Sequence, residues 1–391
     1  GEETSHPRVN RSIAFQRHII NHLLDAIRPD VVHCNDWMTG LVPPAARAKG
    51  IKSLFTLHNV FTEKETPRNI DRSGIDVQRF MEFLYFENWP EESKENWISN
   101  RIDFAASGIH AADVVNTVSK TFLDEMIRGN FKEIIPASIT NAVRAKYAAN
   151  KAFGILNAPN NSVDPRICRH ITPYDIDDVM EKKAVNKRAF QLKMGLRADP
   201  HAPLFFWPSR LYPQKGPELL YKIIRRCIDS HGLQVAFVAN GDLTMIRMFQ
   251  VIAKTSKGRV AHRHFSEGLS ELGKAASDFV LMPSKYEPCG LPQMECPRFG
   301  TLSVGRLTGG IRDTVSELDT ETETGNGFVF EEFAPAALGE AIARAVEFYR
   351  KPPEIRKRNI QRIMRESFER FSLAKTAKEY IKIYESLIEG K

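Results

Sequence analysis

A chain of 391 residues with a net charge of +7, 42% hydrophobic and 26% charged, is long enough for two domains and ordinary in balance for a globular protein. No apolar run approaches the roughly 20 residues that span a bilayer, so no membrane association is expected, and basic residues dispersed without aromatic interleaving argue against nucleic acid as a partner. The five cysteines, Cys34, Cys168, Cys227, Cys289 and Cys296, are scattered and form no Cys-x-x-Cys pair, which argues against a disulfide framework or zinc site and for a reducing compartment, the cytoplasm by default.

In chain order, Ile13, Phe15, Ile19, Ile20, Leu23, Leu24 and Ile27 fall at helical spacing and predict an amphipathic helix over 11–28. Pro29-Asp30 stops it, and Val31-Val32-His33 begins a short strand. A small-residue helix follows over 41–49, then a strand over 53–58. Residues 62–100 are polar, aromatic and irregular, and read as a surface excursion at the mouth of a cleft rather than core. A third strand covers 113–119, and Gly154-Ile155-Leu156-Asn157 follows. Residues 166–195 hold few apolar pairs, many charges and Pro173, and read as a connection between a first domain, 1–165, and a second, 196–373. That second α/β series has strands at 203–208, 233–238, 258–260, 279–282, 301–304 and 328–330, a helix from about 217 and another from 292, with a last helix over 374–391. Strands alternating with helices predict α/β architecture: two Rossmann-like domains with parallel sheets facing a cleft.

The chemistry-bearing residues cluster where strands end. Ser284-Lys285-Tyr286-Glu287-Pro288-Cys289-Gly290-Leu291-Pro292 follows the apolar strand at 279–282 and precedes a helix, the place where open α/β sheets bind ligands. Glu287 there either caps that helix or bonds sugar hydroxyls. Cys289 is either a small buried hydrophobe or a backbone contact. Arg210 and Lys215 lie past the strand at 203–208, with Gly216 opening the next helix. A basic pair alone is often a solvated surface; beside Glu287 it suits a diphosphate leaving group. His33, Asp36 and Trp37, then His58 and Asn59, sit at two strand ends of the first domain, but match no tight metal-ligand spacing. Thr308, Gly309 and Gly310 form a strand-to-helix turn. No G-x-G-x-x-G or Walker loop is found, which disfavours a dehydrogenase or kinase.

Val31 to Leu41, Phe55-Thr56-Leu57-His58-Asn59, Ala112 to Ser119, Gly154 to Asn157, Ser209-Arg210-Leu211 with Gln214-Lys215-Gly216, Glu287 to Leu291, Arg298 to Thr301, Thr308-Gly309-Gly310 with Asp313-Thr314-Val315, and Gly325 to Phe330 together resemble, in order along nearly the whole chain, the glycogen and starch synthase family. The resemblance implies a GT-B-type glycosyltransferase moving glucose from ADP-glucose or UDP-glucose to the non-reducing end of an α-1,4-glucan. Configuration would be retained, with no metal and no cofactor beyond the nucleoside-diphosphate glucose. Donor and α-glucan acceptor would be its partners; oligomeric state stays open. Arg210 and Lys215 would bind the diphosphate and Glu287 the transferred glucose, as the catalytic set. Cys289, Gly290, Leu291, Thr308 and Gly309 would contact donor. His58 with Asn59 would reach the glucose from the first domain, and Asp36 with Trp37 would lie toward the acceptor. The last helix would cross back to the first domain. This chain departs from the family pattern at Met38, Ala158 and Pro292, where His, Gly and Thr are usual. It begins at Gly1 without the family's first strand and Lys-Thr-Gly-Gly loop, so the first domain is expected to be N-terminally incomplete. The alternative is a non-catalytic glucan- or nucleotide-binding homologue that lost that loop.

Overall fold

A computed structural model describes residues 7–88 and 94–389. It separates into two compact units: one runs to Leu156 and takes back the chain from Ala377, and the other spans Asn157–Thr376.

The first unit carries strands β1 (Val31–Asn35), β2 (Lys52–Leu57), β3 (Lys64–Glu65), β4 (Ile102–Asp103), β5 (Val114–Thr117) and β6 (Ala152–Gly154). β1, β2, β5 and β6 lie in that order as a parallel sheet, while β3 and β4 pair antiparallel. Central β2 is buried from Ser53 to Leu57, as a strand covered on both faces requires. The expected 11–28 helix begins earlier, at Pro7, and runs through a π-helical turn at Ile19–Leu23 to Ile27. The stretch 62–100 is not merely a surface excursion. Ile70, Ile75, Val77 and Phe80 are buried, and Glu65 accepts from Thr66 N and Asn69 Nδ2. Residues 89–93 of it lie outside the described residues.

A polar seam ties the C-terminal helix, Leu373–Glu389, to this sheet. Thr56 Oγ1 donates its one proton to Asn116 Oδ1 (2.5 Å), so His33 Nε2 is the donor in its 2.6 Å bond to Thr56. Nδ1 of His33 therefore accepts from the Tyr384 hydroxyl at 2.6 Å, and Asn116 Nδ2 donates to Tyr380. Burial, with the nearby His58 second, lowers the His33 pKa and favours this neutral form.

The second unit carries β7 (Leu204–Trp207), β8 (Gln234–Val238), β9 (Val260–Arg263), β10 (Phe279–Met282), β11 (Leu302–Arg306) and β12 (Gly327–Phe330). They form one parallel sheet in the order β12-β11-β10-β7-β8-β9. The chain moves outward from β7 to β9, then returns to the opposite side of β7 with β10. The switch point is thus between β7 and β10, whose Phe205 and Phe279 rings stack at 4.8 Å.

The expected interdomain connection over 166–195 is corrected: the boundary falls at Leu156/Asn157, and Val179–Met194 is a 16-residue helix of the second unit. Its Phe190 and Met194 pack with Leu204, Phe206, Ala236 and Val238. Its charges hid this, because several are buried and paired. Lys187 meets Asp278 at 2.8 Å. Lys183 is buried and donates toward Ala275 O, Ser277 O, Phe299 O and Thr301 Oγ1, covering carbonyls at the C-terminal ends of the helix Glu267–Ala276 and of a turn at Cys296–Phe299.

Burial pushes the Lys183 pKa down to about 7 from its ordinary 10.5. Between those values the unfolded chain binds a proton that the folded one does not, so this group makes the fold more stable as pH rises above 7. Wild type should therefore gain on Lys183→Met by up to ~1 kcal/mol per pH unit between about pH 7 and 9, read as the difference between urea unfolding curves. A pH-independent difference would refute the buried-ammonium account.

Candidate functional site

In the second unit the loops leaving β7 and β10 are brought together backbone to backbone. Past β7, Trp207 Nε1 donates to Ser209 O (2.8 Å), and Leu211 is clasped to the loop after β8 through Leu211 N to Asn240 O and Asp242 N to Leu211 O. A short turn, Pro213–Lys215, ends at Gly216 with φ +69°. A Cβ there would stand 2.1 Å from Pro283 O, so only glycine lets this loop rest on the end of β10. Lys285 N donates to Gln214 O at 2.8 Å across the same junction.

That approach places Lys215 Nζ 2.6 Å from Glu287 Oε2. The same oxygen accepts from Ser284 Oγ at 3.0 Å. Glu287 is only 4% exposed, and a carboxylate so buried needs such partners. Its carbonyl accepts from Gly310 N at 3.0 Å, and a Cβ on Gly310 would meet Cys289 O at 1.9 Å. The turn Thr308-Gly309-Gly310 after β11 is thereby packed against the Glu287 loop, with Thr308 buried and Gly309 at φ +45°. Gln293 is buried and donates to Cys289 O and Gly290 O, shaping the left-handed turn at Gly290, φ +75°. Leu291 stands 38% exposed.

The expected helix does begin at Pro292 and runs to Glu295 before tightening to a 3₁₀ turn; of the two readings of Glu287, capping of that helix is not the one seen, since the carboxylate pairs with Lys215. Burial pushes the Cys289 thiol up to about 12, so it is protonated and no nucleophile at neutral pH. Arg210 is exposed, its guanidinium 5.6 Å from the Tyr212 ring, and among the described residues the ion pair to Glu287 is made by Lys215 and not by Arg210.

In the first unit, Asp36 follows β1 with φ +56° and ψ 179°, a strained region for any residue but glycine. Its Oδ1 accepts from His58 N (2.8 Å) and Asn59 N (3.3 Å), locking the ends of β1 and β2 together. Burial raises the Asp36 pKa, opposed by those bonds and by His58. His58 Nε2 lies 2.9 Å from Asn35 Oδ1, and Asn59 Oδ1 accepts from Val60 N. Trp37 is half-buried beside Phe104, ring centroids 6.5 Å apart. Gly40 is forced by Phe104 O, which a Cβ would meet at 1.9 Å. His33 spends both ring nitrogens within the seam. Among the described residues no group of three or more His, Cys, Asp or Glu side chains is placed to hold a metal.

Ser284, Gln293 and Asn35 stand within or at the edge of the quoted motifs but carried no role in the sequence, because short polar residues acquire meaning only from the partner they reach. Arg298 and Thr301 also stand in a motif without a role assigned from the sequence. Arg298 is buried and donates to Asn160 O, Val163 O and Phe371 O, and Thr301 belongs to the Lys183 cluster.

Gly216→Ala should destabilise the protein by ~3 kcal/mol or more, since it combines a positive φ with a backbone collision. Urea unfolding measures it; a loss within ~0.5 kcal/mol, the surface range, would contradict this junction.

The starch synthase catalytic domain family matches residues 4–139, and the glycosyl transferases group 1 family matches residues 192–362. A glycogen synthase from Thermosipho melanesiensis is 32% identical over 367 residues, 92% of this chain and 72% of that protein. One from Nitrosospira multiformis is 34% identical over 373 residues, 93% of this chain and 70% of its own. The catalytic domain of starch synthase IV from Arabidopsis thaliana, solved with ADP and acarbose, superposes with a TM-score of 0.82 at 27% identity, covering 99% of this chain and 79% of that one. Sucrose-phosphate synthase from Thermosynechococcus elongatus, at 16% identity and a TM-score of 0.61 over 100% of this chain and 82% of its own, shares the fold.

Proposed function

This chain belongs to the glycogen and starch synthase family of glycosyltransferases, and from that premise we propose that it moves glucose from ADP-glucose to the non-reducing 4-hydroxyl of an α-1,4-glucan with retention of configuration. The fold is of GT-B glycosyltransferase type, and the activity class is glucosyl transfer of the glycogen synthase kind.

The observation that carries the reading is the Lys215–Glu287 pair, its carboxylate buried and its ammonium half-buried, at the carboxyl ends of β7 and β10. A switch point is where an open α/β sheet leaves a crevice for a ligand, and this one holds a cation and a carboxylate with different tasks. In this reading Lys215 and the exposed Arg210 take the diphosphate and stabilise the charge that grows as it leaves. Glu287 accepts hydrogen bonds from hydroxyls of the transferred glucose. The turn at Cys289–Leu291 and the Thr308–Gly309 turn supply backbone to the donor. Positive side chains meet the leaving-group charge, so the reading invokes no metal. ADP as the nucleotide is favoured by the ADP-bound starch synthase that this chain resembles, and acarbose in that same structure supports an α-glucan as acceptor. In the first unit, His58, oriented by Asn35, serves the glucose, and Asp36 and Trp37 serve the acceptor side. Asp36 acts there chiefly by holding His58 and Asn59 through their backbone. Five buried free cysteines suit a reducing cytoplasm, and among the described residues no helix is long and apolar enough to cross a membrane.

The test is transfer of labelled glucose from ADP-glucose, with UDP-glucose in parallel, to glycogen. Lys215→Ala and Glu287→Gln should each lower kcat about a hundredfold or more, with ADP-glucose the better donor. No transfer from either donor would overturn the proposal, and faster transfer from UDP-glucose would overturn the donor assignment.

A further inference from the structure

At the amino end of β10, the opposite end of that strand from Glu287, the second unit holds a cavity of about 210 Å³. Lys183, Lys187, His201, Asp278, Tyr349 and Arg356 line it over an apolar floor of Phe279 and Leu302. It is smaller than the roughly 300–1,000 Å³ of a drug-sized ligand site, so it suits a small ligand. Its charges do not balance. Asp278 is the one carboxylate among the lining residues, and Lys187 is paired with it at 2.8 Å. Lys183 spends its ammonium on three carbonyls and the Thr301 hydroxyl. Arg356, in the first turns of the helix Pro353–Arg370, has no carboxylate partner among the described residues. Its guanidinium stands 5.2 Å from the Tyr349 ring, and its Nε is shielded from solvent with no hydrogen-bond partner among the described residues. A buried donor left unpaired is costly, and an ion is one of the things that explains it.

We propose that this cavity is a binding site for a small oxyanion of the phosphate type, held between Lys187 and Arg356 with His201 at its mouth. Three elements converge there: the helix Val179–Met194 brings Lys187, the exposed segment before β7 brings His201, and the helix Pro353–Arg370 brings Arg356. Lys187 is 7% exposed and donates to Asp278 Oδ2 and to the Tyr349 hydroxyl, which passes its own proton to Pro200 O. One N–H of the ammonium is left uncommitted among the described residues. Burial works against the charge on Lys187, but Asp278 and Tyr349 outweigh it and raise its pKa, so it is a cation at neutral pH. Lys187 Nζ and the Arg356 guanidinium lie 4.9 and 5.2 Å from the centroid of the same Tyr349 ring, near enough for one tetrahedral anion to meet both. A guanidinium fork matches phosphate oxygens, and an anion here would offset the positive excess. The site does not depend on the donor reading of Lys215 and Glu287.

The experiment is calorimetric titration of inorganic phosphate into the full chain near pH 8 at constant ionic strength, with and without ADP. Wild type should bind phosphate saturably. Arg356→Ala and Arg356→Gln should each weaken that binding about tenfold or more, the loss of one charge-assisted contact, and Arg356→Lys, which keeps the charge without the fork, should weaken it less. Circular dichroism checks the fold of each variant, and a rise in Tm with phosphate that Arg356→Gln abolishes is the second readout. The Arg356-dependent binding should persist when ADP is present, since a diphosphate belongs at the other end of β10. Glucose 1-phosphate titrated alongside separates two sources of the anion: binding with the same Arg356 dependence supports the site with a phosphate ester as its ligand, and failure to bind beside binding of phosphate supports it with the free ion. No saturable binding up to millimolar phosphate, binding that both uncharged variants leave within twofold of wild type, or binding that ADP abolishes would overturn the proposal.

Discussion

The ion pair between Lys215 and Glu287 joins two loops separated by 72 residues of chain, and much of the second unit is arranged so that it can form. A carboxylate taken almost wholly out of water is costly unless charge and hydrogen bonds replace the water it loses. Lys215 supplies the charge and Ser284 the hydrogen bond, yet neither reaches Glu287 unless the loops after β7 and β10 touch. Two missing side chains allow that: Gly216 against Pro283 O and Gly310 against Cys289 O. The parallel order β7–β10–β11 then puts three strand ends, and so three loops, on one rim of the sheet.

Beneath that rim lies a support that does no chemistry. Lys183 gathers carbonyls from the segments around Ala275, Ser277 and Phe299, with the Thr301 hydroxyl. Lys187 does the same for Asp278 at the start of β10, whose carboxylate also accepts from Leu204 N at the start of β7. The two strands that flank the switch point are thus pinned at their amino ends by one helix. What they present at their carboxyl ends is held by glycine contacts and the Lys215–Glu287 pair. Rigid strand ends under mobile ligands are what a preorganised leaving-group site requires.

The first unit reaches a similar end by a different device. Asp36 adopts a backbone conformation that costs about 1–3 kcal/mol and recovers part of it through two charge-assisted bonds to the backbone of His58 and Asn59. Strain of this kind persists where surroundings over-determine it, and here it turns the end of β1 toward the end of β2. The seam from Tyr384 through His33, Thr56 and Asn116 to Tyr380 fastens the C-terminal helix across those same strands. Its fixed proton order explains why His33, which stands in a motif beside functional residues, is a structural histidine.

The sequence by itself determined the α/β class, nearly all the strands of both sheets and the positions of Glu287, Lys215, Asp36 and His58 at strand ends, because apolar runs and glycine-marked turns are local signals. It misread 166–195 as a connection and 62–100 as surface, because it counts charges without knowing whether they are paired. Lys183 and Lys187 look solvated until the carbonyls and carboxylate they serve, some 90 residues and more away, are seen around them. Tertiary structure alone decided that Lys215 rather than Arg210 pairs with Glu287, that Ser284 shares the carboxylate, and that Asp36 spends its side chain on backbone. Each of those is a distance between residues far apart in sequence or a choice among rotamers, and neither is written in the spacing of residue types.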